Sequence, residues 1–361
     1  IDGRKDEVLK AWQTVFDAQR DILTWPEILQ DEFLDEFKYY KDPETKVVDR
    51  NKLKLPFEKY EAFPPEEGDR VPPYLLRRYE DYIHLVLPNY AAIAGADWTA
   101  DFKASRGGGM GMMGDMGMEE MGMDGMMGGM GPGRGVTVDI TGATDEPVVA
   151  WSTSSQDALL KDLFPWKGVK EYPSELDVYY SQENLWILRQ LLQIVSAVNG
   201  NAQQSFEAEI REIKKLAIGR SVTFTEGNIS DPGSRIQAGF GGMDMEGEMG
   251  MDMEMDYDMG GDTSGTDEVT EDPGDGRYVN TALEPIDASS LRSAFESDDP
   301  GQVAIAVAKR VPIMMHLKMH QRSVPRLLAA CGSAPLMVDV RQVRIMPKGA
   351  ASSGGMGDGG G

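Results

Sequence analysis

The stretch Leu176–Val198, LDVYYSQENLWILRQLLQIVSAV, constrains the fold more strongly than any other part of the chain. Apolar and polar residues alternate between Leu176 and Tyr180, which is typical of a half-buried strand. From Leu185 onward the apolar residues recur at helical spacing, and Ser181 is placed to cap that helix. The stretch therefore predicts a strand followed directly by a helix. Their shared core is predicted to contain Leu176, Val178, Leu185, Trp186, Leu188, Leu192 and Val195.

A second strand and helix follow in the same order near the C-terminus. Apolar residues alternate through Val311–Met319, Ser323 can cap a short helix, and Leu336–Met346 has the pattern of a further strand. The apolar positions of this last segment change parity part-way along, which suggests a β-bulge. In the first copy, Glu209–Ile218 is the corresponding strand after the helix. The chain thus predicts two β-α-β units.

The N-terminal region is predicted to be helical. Its three predicted helices span residues 5–23, 27–40 and 74–96. The first carries an apolar stripe that includes Trp12, Val15 and Phe16, and such a stripe must pack against another surface. Pro88 predicts a kink or a break in the third helix.

Two segments of low complexity divide the chain, at 107–135 and at about 239–276, and together they contain 17 of the 23 methionines. The first has no Leu, Ile, Val or aromatic residue, and the second is strongly acidic, so neither can offset the entropy of ordering by apolar burial. We expect both to be disordered insertions. The predicted organisation is a helical region at 1–104, an insertion at 105–135, a first module at 136–227, an acidic insertion at 228–277, a second module at 278–348 and a glycine-rich tail at 349–361.

Composition and motifs favour neither an enzyme nor a nucleic-acid binder. The formal net charge of −24 leaves no basic stripe at the level of the whole chain, which argues against a nucleic-acid partner. The single cysteine, Cys331, excludes an internal disulfide framework. No phosphate loop, nucleophile elbow or zinc-protease motif is present, so the sequence predicts no catalytic residue and no cofactor.

Metal binding is an alternative that the methionines leave open. Thioether sulfur is a soft ligand, so the Met-rich acidic tracts could hold Cu(I) or Ag(I) in an envelope protein. His316 and His320 have the spacing of a helical ligand pair, but the alternation places them on a strand. There they would lie about 13 Å apart, too far for one ion. No metal-ligating residue is therefore assigned.

Two short motifs resemble the ferredoxin-like modules of PilO-like proteins. They are Gln182–Trp186 (QENLW) at the predicted strand–helix junction and Val338–Ile345 (VDVRQVRI) after the second helix. That family includes the PilN/PilO inner-membrane platform subunits of type IV pili and planctomycete-type envelope proteins with Met/Gly-rich insertions. The resemblance covers roughly residues 166–347. It implies an α+β fold, in which an N-terminal helical stalk region precedes two small ferredoxin-like β-α-β modules with disordered Met/Gly-rich insertions.

The resemblance also implies a non-enzymatic structural or assembly subunit of an envelope machine, such as a type IV pilus or a type II secretion system. Its members are periplasmic, held in the inner membrane by a transmembrane helix that here would lie upstream of Ile1, and form homodimers or heterodimers with a similarly folded subunit. The family's second module normally closes with one more strand after Arg344–Ile345, and here that strand is either absent or lost by truncation of the sequence. Without it, a sheet edge would be open for pairing. The candidate interface residues are Trp12, Val15, Phe16, Val338, Val340, Val343 and Ile345.

Overall fold

A computed structural model describes residues 10, 13–15, 17–64, 70–102, 146–222, 271–297, 299, 302, 305 and 308–346. Over these residues the protein is a mixed α/β chain of helices and small sheets, in agreement with the α+β class. The first Met/Gly-rich insertion, the glycine-rich tail and the interface candidates Trp12 and Phe16 lie outside the described residues. Among the helices that are described, none has the length and apolar character needed to cross a membrane.

The elements of the described residues are as follows. The helices are α1 (Gln30–Phe37), α2 (Pro73–Ile93), α3 (Thr153–Leu163), α4 (Glu175–Asn199), α5 (Ala288–Glu296) and α6 (Val324–Gly332). The strands are β1 (Tyr39–Lys41), β2 (Val48–Leu53), β3 (Ala150–Trp151), β4 (Ile210–Ile218), β5 (Tyr278–Val279), β6 (Pro285–Ile286) and β7 (Ile313–Met319). Short 3-10 helices lie at Glu27–Leu29, Phe57–Lys59, Gly219–Ser221 and Gln321–Ser323.

The strand predicted at 176–180 is wrong, because α4 begins before it. Ser174 caps this helix: its hydroxyl oxygen accepts a hydrogen bond from the Asp177 backbone N–H at 3.2 Å. The Asp177 carboxylate in turn accepts one from the Ser174 backbone N–H at 2.9 Å, so the two residues form a capping box. Ser181, the predicted cap, lies inside the helix, where its hydroxyl accepts a hydrogen bond from the Trp166 indole at 2.9 Å.

The alternation in this stretch was misleading because α4 is surrounded by other elements. Helices α2, α3 and α6 and strand β4 all contact it. A helix that is enclosed in this way carries apolar residues on every face, so an apolar alternation can arise within it without indicating a strand. All seven residues predicted for the core are buried, and they lie along this one helix: Leu176, Val178, Leu185, Trp186, Leu188, Leu192 and Val195.

One three-stranded sheet packs beside α4, with the strand order β3-β4-β7. β3 is parallel to β4, whereas β4 and β7 are antiparallel from the pair Ile210–Met319 onward. The strands predicted at 209–218 and 311–319 are therefore confirmed. They were expected in separate modules, but they pair with each other.

The strand predicted at 336–346 does not form a ladder with any described strand, and that prediction is wrong for the part of the chain described. The segment has no regular secondary structure, and its first residues lie against α4. The Leu336 backbone N–H donates to the Gln190 side chain of α4 at 3.4 Å, and Val338 packs against the core.

The N-terminal part packs on α4 through aromatic side chains. Trp25 lies at the centre, and the ring centroids of Phe33, Tyr79, Tyr179 and Trp186 are 5.6 to 6.4 Å from its own. Such edge-on and tilted ring pairs add specific geometry to a large apolar burial. The helices before residue 100 are therefore fixed to the rest of the described chain by this aromatic cluster.

The N-terminal part differs from the sequence predictions in three ways. Strand β2, which was not predicted, forms a hairpin with β1. Because β1 begins at Tyr39, the predicted helix 27–40 ends earlier, at Phe37. Helix α2 does not break at Pro88 but continues to Ile93. Pro88 lies on the exposed side of α2, where water can bind the carbonyl that the proline leaves without a helical donor.

Candidate functional site

A buried network of charged side chains joins three distant parts of the chain. Glu58 comes from the 3-10 helix Phe57–Lys59, Glu183 from α4, and Arg277, Tyr278 and Lys309 from the C-terminal part. The exposed fractions of the charged side chains range from 0% for Glu58 to 18% for Lys309. Charged groups this far from water must be paired with one another, because desolvation is otherwise too costly.

Lys309 and Tyr278 bridge the two carboxylates. The Lys309 ammonium donates to Glu58 Oε1 at 3.0 Å and Oε2 at 3.1 Å, and to Glu183 Oε1 at 2.6 Å. The Tyr278 hydroxyl lies 2.8 Å from Glu58 Oε1 and 2.7 Å from Glu183 Oε2. Arg277 Nε donates to the same Glu183 oxygen at 2.9 Å. Each carboxylate is therefore contacted by at least one cation and by the tyrosine.

The electrostatics of the network fix its charge states. Burial alone would raise the pKa of Glu183, but the Lys309 ammonium and the Arg277 guanidinium lower that pKa to about 2. Burial would lower the pKa of Lys309, but the carboxylates of Glu183 and Glu58 outweigh it and hold that pKa above its ordinary value. The network therefore pairs the ionised carboxylate of Glu183 with two cations, and the Lys309 ammonium also contacts Glu58.

This arrangement is suited to holding segments together. An ammonium that stays protonated is a poor nucleophile, and a carboxylate whose pKa is about 2 does not act as a general acid near pH 7. The pair Lys309–Glu58 instead connects residues 251 positions apart in sequence. The network is thus a polar clamp between the N-terminal part, α4 and the C-terminal part.

A second polar contact supports the clamp from α5. Arg292 of α5 forms an ion pair with the buried carboxylate of Asp272. Gly274 lies two residues after Asp272. A Cβ atom at this position would lie 2.9 Å from Cβ of Ala288 and would also contact the Tyr180 side chain. Only glycine allows the backbone to approach these neighbours so closely. Residues 271–277, at the end of the predicted acidic insertion, are therefore part of the packed protein.

In contrast to the buried polar clamp, the segment after α6 has exposed apolar side chains. Five large apolar side chains are exposed within ten residues, with exposed fractions between 41% and 76%. They belong to Met337, Val340, Val343, Ile345 and Met346. We call residues 336–346 the C-terminal arm.

A shallow groove of about 190 Å³ lies where the C-terminal arm begins. It is lined by Asp21, Ile22, Trp186, Arg189, Gln190, Gln193 and Pro335. One end of Trp186 is fixed, because its indole N–H donates to the Thr24 carbonyl at 2.9 Å. The groove thus lies between α4, the start of the arm and the end of the N-terminal helical segment. The described helical residues of that segment are 10, 13–15 and 17–20.

The predicted interface residues that the structure describes differ in how exposed they are. Val15 is half-buried in the N-terminal helical segment, and Val338 is half-buried against the core. Val340, Val343 and Ile345 are exposed on the C-terminal arm. No described contact brings Val15 together with these arm residues.

The metal hypotheses find little support in the described residues. His316 is an exposed residue of β7, and His320 follows the strand, with its Nε2 3.0 Å from Arg211 Nη2. Within the described ranges, no cluster of three His, Cys, Asp or Glu side chains has the geometry to hold a metal ion. The methionine-rich tracts themselves lie outside those ranges.

The clamp residues were not found from the sequence. Their spacing carries no local pattern, and Glu183 entered the sequence predictions only as part of the motif Gln182–Trp186. One signal was present: Arg277 is the first basic residue after Arg235, at the end of a long acidic stretch. A single cation that follows so many acids is a candidate for a specific ion pair.

Comparisons with known proteins identify no relative. No protein-family model matches the chain, no curated protein matches its sequence, and no solved structure matches its fold. Any functional conclusion therefore depends on the residues and geometry described above.

Proposed function

We propose that this protein is a non-enzymatic structural or assembly subunit of a bacterial envelope machine. The observation that carries the proposal is the C-terminal arm, with its five exposed apolar side chains. A series of exposed apolar side chains within ten residues favours a site of protein–protein contact, because isolated apolar residues are normal on a surface but a series of them is not.

The buried clamp supports the same function. Its acids and bases are used to neutralise one another, and they connect parts of the chain that lie far apart in sequence. A single-sided substitution of such a network is strongly destabilising, so the network favours one arrangement of the segments it joins. A scaffold that presents contact surfaces in a fixed arrangement suits an assembly subunit.

The PilO-like resemblance supplies the finer features of the proposal. In it, the chain from about residue 166 to 347 corresponds to ferredoxin-like modules, and the helices of residues 1–104 correspond to the stalk. The protein would be periplasmic, held in the inner membrane by a transmembrane helix upstream of Ile1. Its partner would be a second copy or a similarly folded subunit of a type IV pilus or type II secretion platform, and not nucleic acid.

Cross-linking in cells tests this function. The full protein, tagged at its native locus, would be cross-linked and its partners identified by mass spectrometry after separation of envelope and cytoplasm. We expect envelope fractionation and cross-links to subunits of one assembly machine. A matched strain with Val340→Asp and Ile345→Asp in the arm should lose those cross-links, whereas Val169→Asp, at an exposed valine remote in sequence, should keep them. Recovery in the cytoplasm without envelope cross-links would contradict the proposal.

Soft-metal binding is a second candidate function, favoured only by the 17 methionines in the two low-complexity segments. Titration of the full protein with Cu(I) or Ag(I), followed by calorimetry, tests it. A matched variant with the methionines of 107–135 changed to leucine should lose part of the heat if those thioethers are ligands. An unchanged titration would remove these tracts as the metal site.

A further inference from the structure

We propose that the groove beside Trp186 binds residues 243–259 of the same chain, with a methionine side chain against the apolar lining and a neighbouring carboxylate on Arg189. These residues are the Met-rich part of the acidic insertion and lie outside the described ranges. Binding of this kind would give the insertion a site on the folded part of the chain. It does not depend on the proposed function, because ligand and groove belong to one chain.

Arg189 gives the groove a positive charge that has no described counter-ion. Asp21 also lines the groove, but no ion pair joins its carboxylate to Arg189, and no other described acid pairs with this guanidinium. Burial raises the pKa of the Tyr82 and Tyr90 hydroxyls more than the nearby Arg189 lowers it, so these hydroxyls stay neutral. A guanidinium without an anion is suited to a carboxylate, which it can bind through two parallel hydrogen bonds.

The rest of the groove combines apolar side chains with two amides. Trp186, Ile22 and Pro335 supply the apolar lining, and Gln190 and Gln193 supply the amides. Methionine suits such a lining, because its unbranched thioether adapts to irregular surfaces and makes favourable contacts with aromatic rings. A cavity of about 150 Å³ can hold a benzene ring, so the groove of about 190 Å³ has room for one methionine side chain.

Residues 243–259 offer a methionine beside a carboxylate many times over. Their sequence, MDMEGEMGMDMEMDYDM, contains seven methionines and seven acidic residues, and every methionine has an acidic residue directly next to it. The segment has no lysine or arginine that could neutralise these acids. The other Met-rich segment, 107–135, has ten methionines but only four acidic residues. The chemistry of the groove therefore favours the second segment over the first.

The two described ends of the stretch 223–270 meet beside the helix that carries the groove. Arg220, just before this stretch, donates to the Asp272 carbonyl at 2.7 Å. Arg277, just after it, donates to the Glu183 carboxylate of α4 at 2.9 Å. Both ends are therefore held close to α4.

The connections are long enough to bring the segment to the groove. Glu183 and Arg189 are six residues and therefore about 9 Å apart along α4. Residues 223–242 join the described end at Val222 to the segment, and a flexible chain of that length covers about 25 Å on average. Tethering over such a distance gives an effective concentration on the order of 1 mM, so even weak binding would fill the groove.

Exposed cations of the sheet are the alternative site for an acidic segment. Arg211, Lys214 and Lys215 of β4 are exposed, and so is Lys318 of β7, which pairs with Glu212. Attraction to these cations would need only the carboxylates of the segment. Binding in the groove needs the methionines as well, so the two sites can be separated by experiment.

The first test measures binding to a protein whose own segment has been removed. Residues 243–259 of the full chain are replaced by a Gly/Ser linker of equal length, and a fluorescent peptide with the sequence of 243–259 is titrated by anisotropy. We expect Arg189→Gln to raise the dissociation constant about tenfold, because a charge-assisted hydrogen bond is lost. Lys214→Gln, at an exposed lysine of β4, is the control and should change it by less than about twofold.

Two variant peptides separate charge from apolar contact. One has serine in place of every methionine and keeps the acids, and the other has Asn or Gln in place of every acid and keeps the methionines. Both should bind about tenfold more weakly, because each lacks one of the two groups that the groove accepts. If the serine peptide bound as well as the wild-type peptide, charge alone would attract the segment and the groove would not be its site.

The second test locates the segment in the intact protein. A photo-reactive benzoylphenylalanine replaces the exposed Asp21 at the groove, or Lys214 on β4 as the control. We expect cross-links from position 21 to residues 243–259, identified by mass spectrometry, and at most a small fraction of them from position 214. An equal mixture of isotope-labelled and unlabelled protein tells whether the cross-link joins one chain or two.

Each variant is first checked by circular dichroism for a wild-type fold. If Arg189→Gln fails this check, Gln193→Glu replaces it, because a carboxylate in the groove should repel the acidic segment and weaken binding in the same way. Three outcomes would overturn the inference: equal binding by Arg189→Gln and Lys214→Gln, cross-links from position 214 as frequent as those from position 21, and cross-links only between labelled and unlabelled chains.

Discussion

Glu183 is the residue on which the buried charge of the clamp converges, because Lys309, Arg277 and Tyr278 all contact its carboxylate. Changing Glu183 to Gln removes one of two negative charges and leaves a buried cation without its partner. We expect the free energy of unfolding to fall by about 3 to 5 kcal/mol, measured by urea denaturation.

Glu212→Gln provides the control for this substitution, because Glu212 pairs with the exposed Lys318 side chain. An exposed pair is worth only about 0 to 1 kcal/mol. If both variants lost the same small amount of stability, the clamp would not be a stabilising contact.

The pKa of Glu183 also predicts how stability depends on pH. It is about 2 in the folded protein against an ordinary value of 4.5, so the folded state favours the ionised carboxylate. Its contribution is therefore fully present above pH 4.5 and is lost as the pH falls toward 2. Urea denaturation at stepped pH should show wild-type stability falling more steeply over this range than that of Glu183→Gln. Parallel curves for the two proteins would contradict the assigned pKa.

At the scale of the element, the N-cap at Ser174 determines where α4 begins. The hydroxyl of Ser174 bonds the Asp177 backbone, and this contact is lost in Ser174→Ala. We expect a loss of about 1 kcal/mol in the free energy of unfolding, whereas Ser174→Asp, which can also cap, should retain most of the stability. Ser154→Ala, at an exposed serine within α3, is the control and should change stability little. A Ser174→Ala variant as stable as that control would place the helix start elsewhere.

Whether each strand prediction was correct depends on how the segment is buried in the folded protein. β7 was predicted correctly because half-buried and exposed residues alternate from Met315 to Met319, so the period of two appears in the sequence. β4 was also predicted correctly, although its burial departs from a period of two where its ladder with β7 shifts register. The start of α4 was wrong because burial on every side removes the helical period. The strand predicted at 336–346 was wrong for the described residues, although its apolar positions resemble those of a strand.

At the scale of the whole molecule, the described core forms from segments on both sides of the low-complexity insertions. The aromatic cluster around Trp25 joins residues before the first insertion to α4 after it. We therefore expect that replacing 107–135 with a short Gly/Ser linker leaves the midpoint of thermal unfolding nearly unchanged, as measured by circular dichroism. Replacing 271–277 in the same way should lower it clearly, because Asp272 and Arg277 hold buried ion pairs. Equal effects of the two replacements would contradict this division.

The sequence by itself determined the mixed α and β character, the positions of β4 and β7, and the burial of residues such as Leu188 and Val195, because apolar patterning is a local property of the chain. Only the tertiary structure decided that β4 pairs with β7 and that Glu58, Glu183 and Lys309 form one clamp. These contacts join residues up to 251 positions apart, and no local pattern encodes which distant charge will meet which. The reason is physical: burial imposes a period on neighbouring residues, whereas pairing depends on where the packed elements bring the chain together.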